Sequence, residues 1–226
     1  STANDITDGN TITRNNVTQA TYTCTYSTGG VKTIAFDGTA TNYSTAYQDR
    51  NSNYYAAIAF SGRNEDVSTE PLTPTKIASV SGNLSSIFPY ISGNATSGVQ
   101  PRFCWTFHGA TNLTTVPDTL FADYTKGAER MFSHTFRSCT GLTSIPAGLF
   151  SGITTGAAYM FAATFYSCTG LTTIPAGLFS GITTCAQNLF RSTFNRCTGL
   201  TSIPAGLFSG ITTGADYMFY ATFYGC

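Results

Sequence analysis

From Cys139 onward the chain repeats itself every 29 residues, and a cysteine opens each copy at 139, 168, 197 and 226. Residues 139–167 read CTGLTSIPAGLFSGITTGAAYMFAATFYS. Residues 197–225 return this string with Asp216 in place of Ala158, Tyr220 in place of Ala162 and Gly225 in place of Ser167. The copy between them, 168–196, keeps the frame with more change. A fixed period of this length means one small unit that cannot bury its own apolar face and stacks on copies of itself. The frame reaches further back. Leu84, Leu113, Leu142, Leu171 and Leu200 share a column. So do Phe103, Phe132, Phe161, Phe190 and Phe219, and so do Phe107, Phe136, Phe165, Phe194 and Phe223. Phe121, Phe150, Phe179 and Phe208 form a further column, and Pro117, Pro146, Pro175 and Pro204 another. About five units result: 81–109, 110–138, 139–167, 168–196 and 197–225, of which the first two are degenerate.

Within a unit, Leu142–Ile145 reads as a short strand ended by Pro146, which has no N–H to continue a ladder. Ala147–Gly152 reads as a turn. Thr154 or Thr155 then caps a short helix over Ala157–Phe165, on which Phe161 and Phe165 stand four apart and face one side. The expectation is an α+β solenoid, residues 81–226, with the phenylalanine columns as its core. Residues 1–80 do not carry the repeat. Alternation over Ala20–Tyr26, and β-rich or aromatic runs at Val31–Phe36 and Tyr54–Phe60, separated by Gly, Asn and Asp, predict a small β-rich N-terminal domain. A polar, two-proline stretch near 62–75 predicts the linker.

At Phe165-x-x-Cys168-x-x-Leu171-x-x-Ile174-Pro175, and again from Tyr217-Met218-Phe219 to Phe223-Tyr224-Gly225-Cys226, the chain resembles leucine-rich repeats of the BspA-like surface-protein family. The resemblance covers 110–226 well and 81–109 weakly. It implies a leucine-rich-repeat-like stack in a secreted or cell-surface protein used in adhesion or surface structure, and it carries no catalytic residues. The unit here is longer than the common pattern and has a proline after the strand.

Net charge is zero and only 10% of residues are charged, against a usual quarter. A basic footprint for nucleic acid is absent, and no apolar run is long enough to insert in a membrane. From 139 to 226 the only charges are Arg191, Arg196 and Asp216. Solubility must therefore come from hydroxyls, attached sugar or burial against other subunits. The start at Ser1 reads as a mature, secreted product. In that setting Asn16, Asn42, Asn83, Asn94 and Asn112, each in an Asn-x-Ser/Thr sequon, become candidate glycosylation sites.

Seven cysteines raise the question of metal or disulfide. Cys139, Cys168, Cys197 and Cys226 share a column that Ala110 occupies one unit earlier, so the reading is a column of core thiols. Adjacent layers would bring two of them within disulfide range, so a bonded rung is the alternative. Zinc needs four converging thiolates, which a linear column does not offer. A Cys24–Cys104 bridge between the two parts is conceivable, with Cys185 left over. His108 and His134 do not share a column, and no nucleophile–base pair, paired-carboxylate motif or phosphate loop is present. The expectation is no enzyme and no cofactor. Repeated threonines (Thr143, Thr172, Thr201 and the pairs after Ile153, Ile182 and Ile211) raise ice binding as a minor alternative, against which strand and cap preferences account for Thr equally.

Two functional readings stand. The first is an extracellular structural protein, glycosylated and adhesive, the subunit of a head-to-tail homopolymer or surface layer. The last unit is nearly identical to an internal one and lacks the polar cap a solenoid end needs, so either the chain has been cut there or something else covers that face, for which the N-terminal domain of the next copy is the candidate. The second is a monomeric cell-surface or viral-fibre module that binds glycan or protein. Variable positions supply the candidate recognition or assembly face in both: Tyr159, Asn188 and Tyr217 in one column, Ala162, Arg191 and Tyr220 in a second, Tyr166, Asn195 and Tyr224 in a third.

Overall fold

A computed structural model describes residues 6–14, 17–24, 58, 60, 76–89 and 101–226. Near the N-terminus, β1 (Ile6–Arg14) and β2 (Val17–Cys24) pair antiparallel, from Ile6 opposite Cys24 to Arg14 opposite Val17. Between Asp8 and Thr11 the register slips by one residue, a bulge at Gly9-Asn10 where the turn-prone residues fall. Val31–Phe36 and the linker near 62–75 lie outside the described residues, as does most of Tyr54–Phe60.

From 110 onward the layers lie one on another. Phe107, Phe136, Phe165, Phe194 and Phe223 stack with centroids 5.3–5.5 Å apart and planes within 5°. The Phe121 column repeats at 5.8–5.9 Å. Rings of the Phe132 column wedge against it at 4.8–4.9 Å and steep angles. Offset stacks along the axis and edge contacts across it are both favoured ring geometries, and together with Leu142, Ile145, Leu149, Ile153 and Met160 they fill the interior.

The helix expected over Ala157–Phe165 is not formed. Its place is taken by a ribbon of overlapping β-turns, repeated in every layer. In 128–139 the amides of Arg130, Phe132, His134, Phe136 and Ser138 donate one layer on, to Ala158, Met160, Ala162, Thr164 and Tyr166, at 2.7–3.0 Å. The amides between them, of Met131, Ser133, Thr135, Arg137 and Cys139, donate three residues back at 3.0–3.3 Å. Arg130, His134 and Ser138 have φ of 57°, 59° and 60°, so every second turn has the positive φ at its third residue that marks type II. The ribbon therefore repeats every four residues and brings Phe161 and Phe165 to one side just as a helix would. A nine-residue helix is marginal by itself, whereas the ribbon gives half its amides to the next layer. Thr155 is no helix cap either: its hydroxyl accepts from the Gly127 amide at 3.0 Å.

The expected strand Leu142–Ile145 contributes an interlayer bond from Thr143 to Thr114, and its copy one from Thr172 to Thr143, without forming a ladder. Leu142 and Ile145 are buried while Thr143 and Ser144 face out, a two-in, two-out pattern. Parallel bridges link Lys126 to Thr155 and Thr155 to Thr184. The layers approach so closely that side chains are excluded at fixed positions. A Cβ on Gly141, Gly170 or Gly199 would stand 2.2–2.5 Å from a carbonyl of the layer before. Unit 110–138 carries Asn112 there, because the residues before it do not stack in the repeat's register: Leu84 opens a 3-10 turn (Leu84–Ser86), and its amide bonds the carbonyl of Leu120 instead of seating one period from Leu113. The other face of the first ribbon is met by the N-terminal part. Phe60 stacks on Phe107 at 5.5 Å and donates its amide to the Thr106 carbonyl, and the Ile58 carbonyl accepts from the Thr106 hydroxyl.

Candidate interaction surfaces

The thiol column is sealed. Cys139, Cys168 and Cys197 are fully buried, and each Sγ–H donates at 3.0 Å to the carbonyl of Phe107, Phe136 or Phe165 in the layer before. Cys226, exposed on the last layer, does the same to Phe194 at 3.1 Å. Thr135, Thr164, Thr193 and Thr222 make the matching bond four residues earlier, to Phe103, Phe132, Phe161 and Phe190, at 2.8–2.9 Å. Each of these Phe carbonyls thus accepts from an amide three residues on and from the next layer's side chain, and that of Phe103 accepts from the Thr106 hydroxyl as well. Burial pushes the Cys139 and Cys197 thiols up to about 12. Cys168 goes well above its ordinary value, through burial first and then its two cysteine neighbours. These sulphurs hold their protons and act as hydrogen-bond donors. Cys104 is in no disulfide and its Sγ lies on the Arg130 carbonyl at 3.1 Å, so the Cys24–Cys104 bridge is not made.

Cys185 stands where Gly127 and Gly156 stand in earlier layers. There a Cβ would meet the next layer's threonine carbonyl at 2.3–2.4 Å. The Cys185 thiol instead donates to the Thr213 carbonyl at 2.8 Å, in place of the backbone bonds Gly127 and Gly156 make to Thr155 and Thr184. The odd cysteine is thereby accounted for as a local exception to the stacking rule.

The variable columns separate. Tyr159 and Tyr166 are partly exposed; Arg191, Tyr217, Tyr220 and Tyr224 are exposed. Ala162, Asn188 and Asn195 are buried and are not part of an open face. Each lies between the layers before and after, and Asn188 adopts φ 57°, a conformation asparagine tolerates better than most residues. Of the sequons, Asn112 is exposed. Asn83 spends its side chain locally, accepting from the Ser85 amide at 2.8 Å and donating to Asp123 at 2.5 Å. Asn16, Asn42 and Asn94 lie outside the described residues.

Residues not singled out from the sequence join these columns. Guanidinium groups lie over tyrosine rings of the next layer: Arg130 over Tyr159 at 4.3 Å, Arg137 over Tyr166 at 4.8 Å and Arg191 over Tyr220 at 4.9 Å. Arg196 also reaches Tyr166, at 5.9 Å, and Trp105 stacks on His134 at 4.0 Å. The legible signal was that every charge from 130 onward falls within the ribbon stretches of the frame. The opposite side carries exposed hydroxyls, among them Thr143, Thr172 and Thr201.

No family model, curated protein or solved structure matches the chain.

The last layer differs from the others at its outer edge. The amides of Tyr217, Phe219, Ala221, Phe223 and Gly225 occupy the positions that donate onward in the three layers before, and no described residue accepts from them. Around them Ile203, Phe219, Tyr217, Tyr220 and Tyr224 are 42–69% exposed.

Proposed function

We propose that the chain is a non-catalytic structural subunit of an extracellular or cell-surface assembly: a leucine-rich-repeat-like solenoid that pairs head-to-tail with a second copy. One observation carries this reading: the ribbon amides donate in one direction along the stack, so one edge of a layer offers donors and the other acceptors. Unpaired backbone donors beside apolar surface are an edge that recruits another chain. Two such faces do not suit each other about a two-fold axis, since donors would meet donors. The contact is therefore head-to-tail, which extends instead of closing. The opposite edge of the stack is where Ile58 and Phe60 of the N-terminal part seat, the Phe60 amide on the Thr106 carbonyl. The proposed occupant is the 1–80 part of the next copy. The resemblance to surface repeats and the nearly uncharged, hydroxyl-rich side support an extracellular setting.

Electron microscopy tests this with two proteins: the chain itself, and the chain extended by one more unit with charged residues at the outward positions. Fibres of regular axial repeat from the first and dispersed rods from the second are expected. Rods from both, or fibres from both, would overturn the role of this face.

A further inference from the structure

The side of the stack formed by the turn ribbons has a chemistry of its own, and the geometry points to it as a binding site for an acidic polysaccharide, one whose sugar rings carry carboxylates. Three observations converge. The first is charge. From 128 to 226 the chain carries Arg130, Arg137, Arg191 and Arg196 against Glu129, which pairs with Arg130, and Asp216, and all six lie on the ribbons. Among the described residues neither Arg191 nor Arg196 has a carboxylate within ion-pair range, so both positive charges face outward uncompensated.

The second is preorganisation. Arg191 has its guanidinium carbon 4.9 Å from the Tyr220 ring centre and donates to the Asn188 side-chain oxygen at 3.3 Å, and Arg196 lies 5.9 Å from the Tyr166 ring centre. A guanidinium stacked on a ring keeps its N–H fork in plane and turned outward, the arrangement that grips a carboxylate with two bonds and loses little freedom in doing so. The third is the mixture of surfaces. Exposed tyrosine faces beside the arginines offer platforms for the apolar faces of sugar rings. Single-stranded nucleic acid is the competing polyanion. It calls for a continuous basic groove, and four cations in a chain of zero net charge do not make one.

The test is retention of the full chain on immobilised polygalacturonate, with dextran and single-stranded DNA as the other two matrices. Expected is retention on polygalacturonate that added salt reverses, none on dextran, and little on DNA. Arg191→Gln and Arg196→Gln, both at exposed positions, should each weaken it about tenfold, with the thermal midpoint unchanged. No retention on polygalacturonate, equal retention on dextran or DNA, or binding indifferent to both substitutions would overturn the proposal. None of these results depends on whether the chain forms fibres.

Discussion

The same truncation made twice in one column tests the stacking account. Phe161 is fully buried, with parallel rings on both sides, Phe132 at 5.4 Å and Phe190 at 5.6 Å, and edge contacts to Phe150 and Phe179 at 4.9 and 4.8 Å. Phe219 holds the same position two layers on. It keeps only Phe190 at 5.6 Å and Phe208 at 4.8 Å and is 42% exposed. A buried Phe→Ala change costs about 3–5 kcal/mol, because transfer and cavity terms add. Phe161, closed in on every side, belongs near the middle, about 4 kcal/mol. Phe219 leaves no sealed cavity and loses half the ring contacts, for about 1–2 kcal/mol. With a urea slope of about 2 kcal/mol per molar, the midpoints should fall by about 2 M for Phe161→Ala and by less than about 1 M for Phe219→Ala. The assay is urea unfolding in dilute solution, followed by circular dichroism and by the fluorescence of Trp105, the only tryptophan. Equal losses at the two sites in dilute solution, or a Phe161→Ala cost under about 1 kcal/mol, would refute the reasoning. If assembly covers the last layer, the cost at Phe219 alone should grow with protein concentration.

Three further outcomes follow from particular residues. Cys185→Gly removes the Cβ that displaces the Thr213 carbonyl and should restore the backbone bond its counterparts make, raising stability by about 0.5–1 kcal/mol in urea titration. Ser167→Gly should raise the melting temperature, with a gain of roughly 1 kcal/mol. Ser167 sits at φ 57° in a column where Gly109 and Gly225 already relieve the left-handed strain. The buried thiols make the fold sensitive to alkali. With folded values near 12 against an ordinary 9.0, Cys139 and Cys197 keep protons that the unfolded chain releases, so their stabilisation is complete below pH 9 and declines from there towards pH 12. The slope is about 1.4 kcal/mol per pH unit for each thiol. Urea midpoints measured at pH 8, 9 and 10 should fall across the upper interval, and less steeply in Cys139→Ala.

The columns were legible because a fixed period needs no knowledge of conformation: residues 29 apart meet whatever path the chain takes between them. The path itself was not legible. Phe161 and Phe165, four apart, look the same on a helix of 3.6 residues per turn and on a turn ribbon that repeats every four. What separates the two is where the amides go, and side-chain patterning carries no trace of that. The glycines at 141, 170 and 199 share a column like many other residues, and nothing in the pattern shows that their role is to let one layer's carbonyls approach the next. Asn188 and Asn195 varied like surface residues yet are buried, because variation in a column reports a difference between layers and not exposure. The seat of Phe60 on Phe107 was hidden for the opposite reason, since residues 1–80 carry no period that could align it.

The near-identity of units 139–167 and 197–225 has a consequence for how the chain finds its fold. Since each layer touches only its neighbours, a folding chain that seats 197–225 directly on 110–138 would meet almost the same rings, amides and thiols as one that seats 139–167 there. That error leaves 58 residues looped out while keeping most local contacts intact. What distinguishes the correct order is the layer between. Cys185 breaks the stacking rule where a glycine is otherwise required, Asn188 holds Arg191 from within the layer, and Arg191 and Arg196 find tyrosines only at Tyr220 and Tyr166. In a chain built of copies, the irregular unit serves as the address by which the others are counted.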